Sequence, residues 1–173
     1  IGGPAVTDYI ADNLGILNIS TVRFFTNAVE TRTRGADVVL DYTFPDMGDS
    51  TLRLSLAASY AETVVEGVKE SPAVLADLGA TLISEESVSG IERSRPRTKV
   101  VLSGNWTTQQ LALLVRASHF GSTEHNTPFG QQKHSPEWVL DLDVEYALND
   151  RLRVAVGGNN VLDNYPDRTV EGN

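Results

Sequence analysis

From Leu140 to Leu148 every second residue is apolar but one side only: Leu140, Leu142, Val144, Tyr146 and Leu148 share one face, and Asp141, Asp143, Glu145 and Ala147 the other. Extended backbone, whose successive side chains point to opposite faces, sorts this order into an oily side and a wet side; helical backbone would scatter both around its axis. The tract therefore predicts a strand. Asn149-Asp150 reads as a two-residue hairpin connection, after which Leu152, Val154 and Val156 alternate with Arg151, Arg153 and Ala155 in a returning strand.

The same grammar recurs upstream. Val38, Leu40, Tyr42 and Phe44 alternate before Pro45-Asp-Met-Gly-Asp49, and Leu52, Leu54, Leu56, Ala58 and Tyr60 alternate after it. A third pair runs from Lys99 to Thr107, turns at Thr108-Gln109-Gln110 and returns from Leu111 to about Phe120. A weaker strand is expected over roughly 19–27, paired with a segment beginning near Glu30. Three hairpins with short turns are thus joined by long connections. One, from about Glu66 to Pro96, contains Ser71-Pro72, where Ser71 is expected to cap a short helix with Pro72 at its first position. A similar helix is expected after Pro4, and 121–136 reads as a polar loop. Loops this long are uncommon in compact domains and tend to be functional.

Composition narrows the classes. With 14 basic and 23 acidic residues the net charge is −9, which argues against a nucleic-acid partner, because phosphate binding needs clustered Lys and Arg. No cysteine is present, which excludes disulfide frameworks and Cys-based zinc sites. No apolar run of about 18 residues occurs, so a membrane helix is excluded, but a membrane barrel is not, since its strands alternate. The chain opens Ile1-Gly2-Gly3-Pro4 without Met or a targeting signal and is read as a piece of something longer.

Alternating strands also build soluble antiparallel sheets whose polar face meets water. Two features favour a membrane barrel. Short turns and long loops segregate to opposite ends, and charges sit in mid-strand at Arg53, Arg116, Asp141, Asp143, Glu145 and Arg153, which suits a wet lumen where opposite charges pair across strands. The aromatics Tyr42, Phe44, Tyr60, Trp106 and Tyr146 lie toward strand ends, the level of an interfacial girdle.

The segment from Trp138 to Pro166, ending Asn160-Val-Leu-Asp163-Asn-Tyr165-Pro166, resembles the C-terminal hairpin of TonB-dependent outer-membrane receptors and its Asn-x-Leu/Phe-Asp-x-x-Tyr-Pro signature. The stretch from Phe24 to Asp37, with Thr33-Arg34-Gly35, resembles that family's entry into a barrel strand, and Arg116-Ala-Ser-His-Phe-Gly121 its strand end before an outside loop. The resemblance runs from about residue 5 to 168. It implies an all-β fold: an antiparallel meander, a segment of a large transmembrane β-barrel with short helices in long outer loops. Residues 1–173 would form a partial barrel domain, with the plug domain and last strand absent. It further implies the bacterial outer membrane, and active import of a scarce ligand of the iron-siderophore, cobalamin or glycan class with TonB-derived energy. Its partners would be outer-membrane lipid, the imported small ligand, and the TonB complex through the missing N-terminal part. Barrels of about 22 strands have plugged lumens. Short turns in the periplasm would place 66–96, 121–136 and the segment after Asn164 outside.

Local chemistry offers little else. His119, His125, His134 and Glu124 could in principle hold a metal, but their spacing is not diagnostic, and no catalytic, cofactor-binding or metal residue is assigned. Asp141, Asp143 and Glu145 read as lumen charge rather than as an acid/base pair. Neither a nucleophile elbow, a phosphate-binding Gly loop nor His-Glu-x-x-His appears, so an enzyme, for example a β-rich glycoside hydrolase, is not expected. Gly157-Gly158 reads as a strand-interior bulge or close contact, and Arg93, Arg95, Arg97 and Lys99 as a solvated rim or a base facing lipopolysaccharide phosphates. The competing function is a soluble β-sheet binding module, for adhesion or carbohydrate.

Overall fold

The computed structural model describes residues 4–14, 26–45, 47–127 and 130–168. In chain order the elements are α1 (Pro4–Leu14), β1 (Val29–Thr43), β2 (Thr51–Val68), α2 (Ala73–Asp77), α3 (Glu85–Arg93), β3 (Thr98–Thr107), β4 (Leu111–Phe120), β5 (Thr123–Thr127), β6 (Gly130–His134), β7 (Glu137–Asn149) and β8 (Leu152–Gly158). Six strands form one sheet in the order β1-β2-β3-β4-β7-β8, every pair antiparallel, while β5 and β6 form a separate hairpin inserted between β4 and β7. This is the expected antiparallel meander.

Each short turn is closed by local chemistry. Between β1 and β2, Gly48 takes a φ of +61° that an L side chain resists, and the Ser50 hydroxyl donates to the Met47 carbonyl at 2.9 Å. Between β3 and β4 the Thr108 hydroxyl accepts from the Leu111 and Gln110 amides at 2.9 and 3.3 Å. At the third turn the Asn149 carboxamide accepts from the Arg151 and Leu152 amides at 2.9 and 3.1 Å. Asn149 pairs with Leu152 inside the ladder, which moves the two-residue connection to Asp150-Arg151, one position later than the sequence suggested. Dropping Leu148 out of register produces a bulge between Ala147 and Asn149.

The long connections depart further from expectation. Ser71 does not cap α2: Pro72 occupies the cap position, and the Ser71 hydroxyl instead accepts from the Leu82 amide at 3.1 Å across the loop. α3, unanticipated, starts at Ser84, whose hydroxyl accepts from the Ser87 amide, with Glu85 and Glu86 in the first turn and Arg93 in the last. The polar stretch at 121–136 is largely the β5–β6 hairpin rather than a loop. The weak strand expected over 19–27 falls mainly outside the described residues, and 26–27 are not in a strand.

The sheet buries no core of its own. Among the described residues the buried hydrophobics are Val6, Ala28 and Leu82, none within a strand, and no side chain is fully enclosed. A compact monomer of 18.8 kDa exposes about 8,300 Å² by the usual size scaling, whereas this chain exposes 12916 Å². Both faces of the sheet are open, and among the described residues nothing covers the apolar one.

Candidate functional site

Register turns six local alternations into two continuous faces. On one, Leu40 meets Leu56, Leu56 meets Leu102, Leu102 meets Ala117 and Ala117 meets Leu140, a row crossing five strands. Below it run Tyr42, Leu54, Gly104, Val115 and Leu142, and toward the turns Leu52, Trp106, Leu113, Val144 and Val156. Side chains on this face are exposed or half-buried and none is buried, with 59% exposure at Leu40, 49% at Leu102 and 71% at Val156. β3 and β4 each have 10 residues, within the about 9–11 needed to cross a bilayer as tilted strands. Tyr42, Trp106 and Tyr146 lie at the turn end of the band, with Phe44 edge-on to Tyr42 at 4.9 Å between centroids. At the other end Tyr60 is joined by Trp138, stacked at a tilt on His119 at 4.8 Å. Trp138 completes the second aromatic row and was not recognised as such from sequence.

The opposite face is polar and internally paired, although Val39, Val101, Leu114 and Val139 interrupt it. Asp41 accepts from Arg53 at 3.1 Å and from the Ser55 hydroxyl, and Arg153 reaches Glu145 at 2.7 Å. Arg116 is opposite Asp141 in the ladder, and Asp141 accepts from the Asn160 amide at 2.9 Å. Asp143 lies against Gly157, where an added Cβ would come within 2.6 Å of its carboxylate and 3.1 Å of the Leu142 carbonyl. Gly157 thus serves close approach, while the bulge lies at the other end of the hairpin and Gly158 is the last strand residue. The carboxylates Asp141 and Glu145 thus have structural partners, the Asn160 amide and Arg153, and Asp143 packs against Gly157.

Above the apolar band β1 and β2 continue without β3, which begins opposite Tyr60. The uncovered edge of β2 is met by the connection: the Val65 amide donates to the Glu92 carboxylate of α3 at 2.8 Å, and the Ala61 amide to the Arg97 carbonyl at 2.8 Å. On the face continuing upward from the band the side chains turn charged, with ion pairs Arg32–Glu66 at 2.5 Å and Arg97–Glu62 at 2.8 Å. Glu124 on β5 pairs with Arg93 of α3 at 3.2 Å, tying the hairpin to the helix. The histidines do not converge: His119 stacks on Trp138, whereas His125 and His134 sit opposite Gln132 and Thr123 on the hairpin. No metal-holding cluster of His and carboxylates occurs among the described residues.

The residues after β8 fold back on β7. The Val161 amide donates to the Leu140 carbonyl at 2.8 Å and the Asn164 carboxamide to the Trp138 carbonyl at 2.9 Å. Asn160 and Asn164 are joined by two further hydrogen bonds, 2.9 and 3.1 Å. The stretch from Asn160 to Pro166 is therefore a clamp that stops the last strand and keeps the chain on the sheet.

No curated protein and no solved structure matches the chain. The family model described as TonB dependent receptor-like, beta-barrel, matches residues 5–161, nearly the whole chain. That family comprises outer-membrane transport receptors of bacteria, not enzymes, and its barrel is what a coreless, two-faced meander of membrane-crossing strand length would build. The chain belongs to the TonB-dependent receptor-like β-barrel family.

Proposed function

We propose that this chain forms part of the wall of an outer-membrane receptor that imports a scarce ligand, of the iron-siderophore, cobalamin or glycan class, with energy delivered through TonB. The carrying observation is the uncovered apolar face: a surface with 59% exposure at Leu40 and 71% at Val156 is unstable in water and at home in hydrocarbon. In this reading the Leu/Val face meets lipid and the face with Asp41, Arg53, Arg116, Asp141 and Glu145 lines the lumen. The three short turns face the periplasm, and α2, α3 and the β5–β6 hairpin face outside, where a ligand first lands. The rejected alternative, a soluble adhesion or carbohydrate module, needs a second layer over that face, and none exists among the described residues.

Detergent dependence is the direct test. Refolded with and without micelles, residues 1–173 are expected to gain β-structure by far-UV circular dichroism, and a defined size by gel filtration, only with detergent. A compact β-rich monomer in plain buffer would refute the wall assignment. Import itself is tested in cells by uptake of labelled ferric siderophores, cobalamin and oligosaccharides with and without TonB. TonB-independent uptake would refute the energy coupling.

A further inference from the structure

The outer connection holds a concentration of positive charge that the strand architecture does not require. A cavity of about 300 Å³ is lined by Arg93, Arg95, Arg97, Ser122 and Glu124. Helix electrostatics explains only Arg93, in the last turn of α3, where a cation complements the negative end of the dipole. Arg95 and Arg97 lie past that turn. Pro96 between them disfavours helical backbone at Arg95, so the helix ends, the chain bends through 94–97, and both arginines line the cavity.

The charges do not cancel. Arg93 pairs with Glu124 at 3.2 Å and Arg97 with Glu62 at 2.8 Å, and Lys133 stands 4.0 Å from the same Glu124. Arg95 has no carboxylate partner among the described residues. The cavity lining carries three cations and one carboxylate, an excess of two positive charges in a chain whose net charge is −9. Guanidinium forks match the oxygens of a phosphate group, which carries about −1.5 to −2 at neutral pH, and Ser122 adds a hydroxyl.

We propose that the Arg93–Arg95–Arg97 cavity is a phosphate-binding site, with Arg95 as the direct ligand and Arg93 and Arg97 held in place by Glu124 and Glu62. It rests on the outward placement of α3 argued above. The phosphate could arrive on a soluble solute or as the headgroup of an outer-leaflet lipid, and the same guanidinium chemistry serves both.

The test uses the full chain in neutral-detergent micelles, titrated calorimetrically with inorganic pyrophosphate, and the same chain in vesicles containing either phosphorylated or dephosphorylated lipid A. Variants are Arg95→Gln and Arg95→Lys, the second keeping charge but losing the fork. Saturable pyrophosphate binding that weakens at least about tenfold in Arg95→Gln, less in Arg95→Lys, and declines with salt supports the site and a soluble source. Preference for phosphorylated lipid A that Arg95→Gln removes, without pyrophosphate binding, supports the site and a lipid source. If Arg95→Gln changes neither, or neither probe binds saturably, the site is overturned. Circular dichroism of the same samples separates this from failure of the wall assignment, which would show as detergent-independent folding.

Discussion

Asn160 has a φ of +51° and Asp163 one of +56°, a region that most L residues avoid but that Asn and Asp tolerate. Asn160 also spends its carboxamide on Asn164. Asn160→Ala should therefore lose both backbone tolerance and hydrogen bonds, for about 1–3 kcal/mol, while Asn160→Gly should lose only the bonds and cost less. Urea unfolding in micelles checks the order, and an alanine variant no worse than glycine would contradict it. Gly35 makes a different demand: an added Cβ would come within 2.7 Å of the Tyr60 carbonyl, a backbone atom that cannot turn aside. Gly35→Ala should cost about 1–3 kcal/mol by the same assay, through overpacking between β1 and β2. The resemblance around Thr33-Arg34-Gly35 and Asn160 to Pro166 thus has physical content: one motif permits close strand approach and the other ends the sheet. Neither reason could be read from the motifs themselves, because both depend on what the fold brings opposite.

At the scale of elements, α3 protects the stretch of β2 that outruns β3. Bare strand edges invite pairing with other chains, and covering them with a helix is one remedy. Glu92→Ala should free the Val65 amide, raising its hydrogen exchange, while Leu56, flanked by Leu40 and Leu102 on neighbouring strands, stays protected. Equal exchange in variant and parent would mean that the helix does not seal the edge. Most of the six-stranded sheet was legible because one apolar face forces alternation, but the segment from Glu30, expected to pair with 19–27, is the start of β1 and pairs with β2. The β5–β6 hairpin was not legible, since Thr123-Glu-His-Asn and Gly130-Gln-Gln-Lys are polar on both faces and carry no apolar period. The upper part of β2 was missed for the same reason, its outward face passing from Tyr60 to Glu62 and Glu66. α3 was signalled by Ser84 followed by Glu85 and Glu86, but with only Val88 and Ile91 apolar in nine residues the tract is too short to stand out.

For the whole molecule, a stability rule is turned around: large apolar side chains such as Leu40, Leu102 and Val156 stand exposed on one continuous face. Leu102 lies mid-band and Ser103 beside it on the other face. Leu102→Arg should destabilise the sheet in bilayers by about 2–4 kcal/mol, and Ser103→Arg far less, because a charge toward hydrocarbon loses its hydration while one toward the lumen does not. Equilibrium unfolding in vesicles measures both. The polar pairs matter less to stability than their number suggests. Arg153 and Glu145 are exposed, so Glu145→Gln should change it by less than about 1 kcal/mol. The separation into two faces was visible in one strand's sequence, but its continuity across six strands required the register, which turn chemistry fixes and alternation alone leaves open.

The absence of cysteine permits the most direct measurement of that separation. Single cysteines placed in turn from 140 to 148, labelled with a fluorophore and reconstituted in bilayers containing lipid-attached quenchers, report which side chains touch lipid. Strong quenching is expected at 140, 142, 144 and 146 and weak quenching at 141, 143 and 145, a period of two along β7. Uniform quenching, or none at the even positions, would contradict the assignment of the Leu/Val face to the membrane.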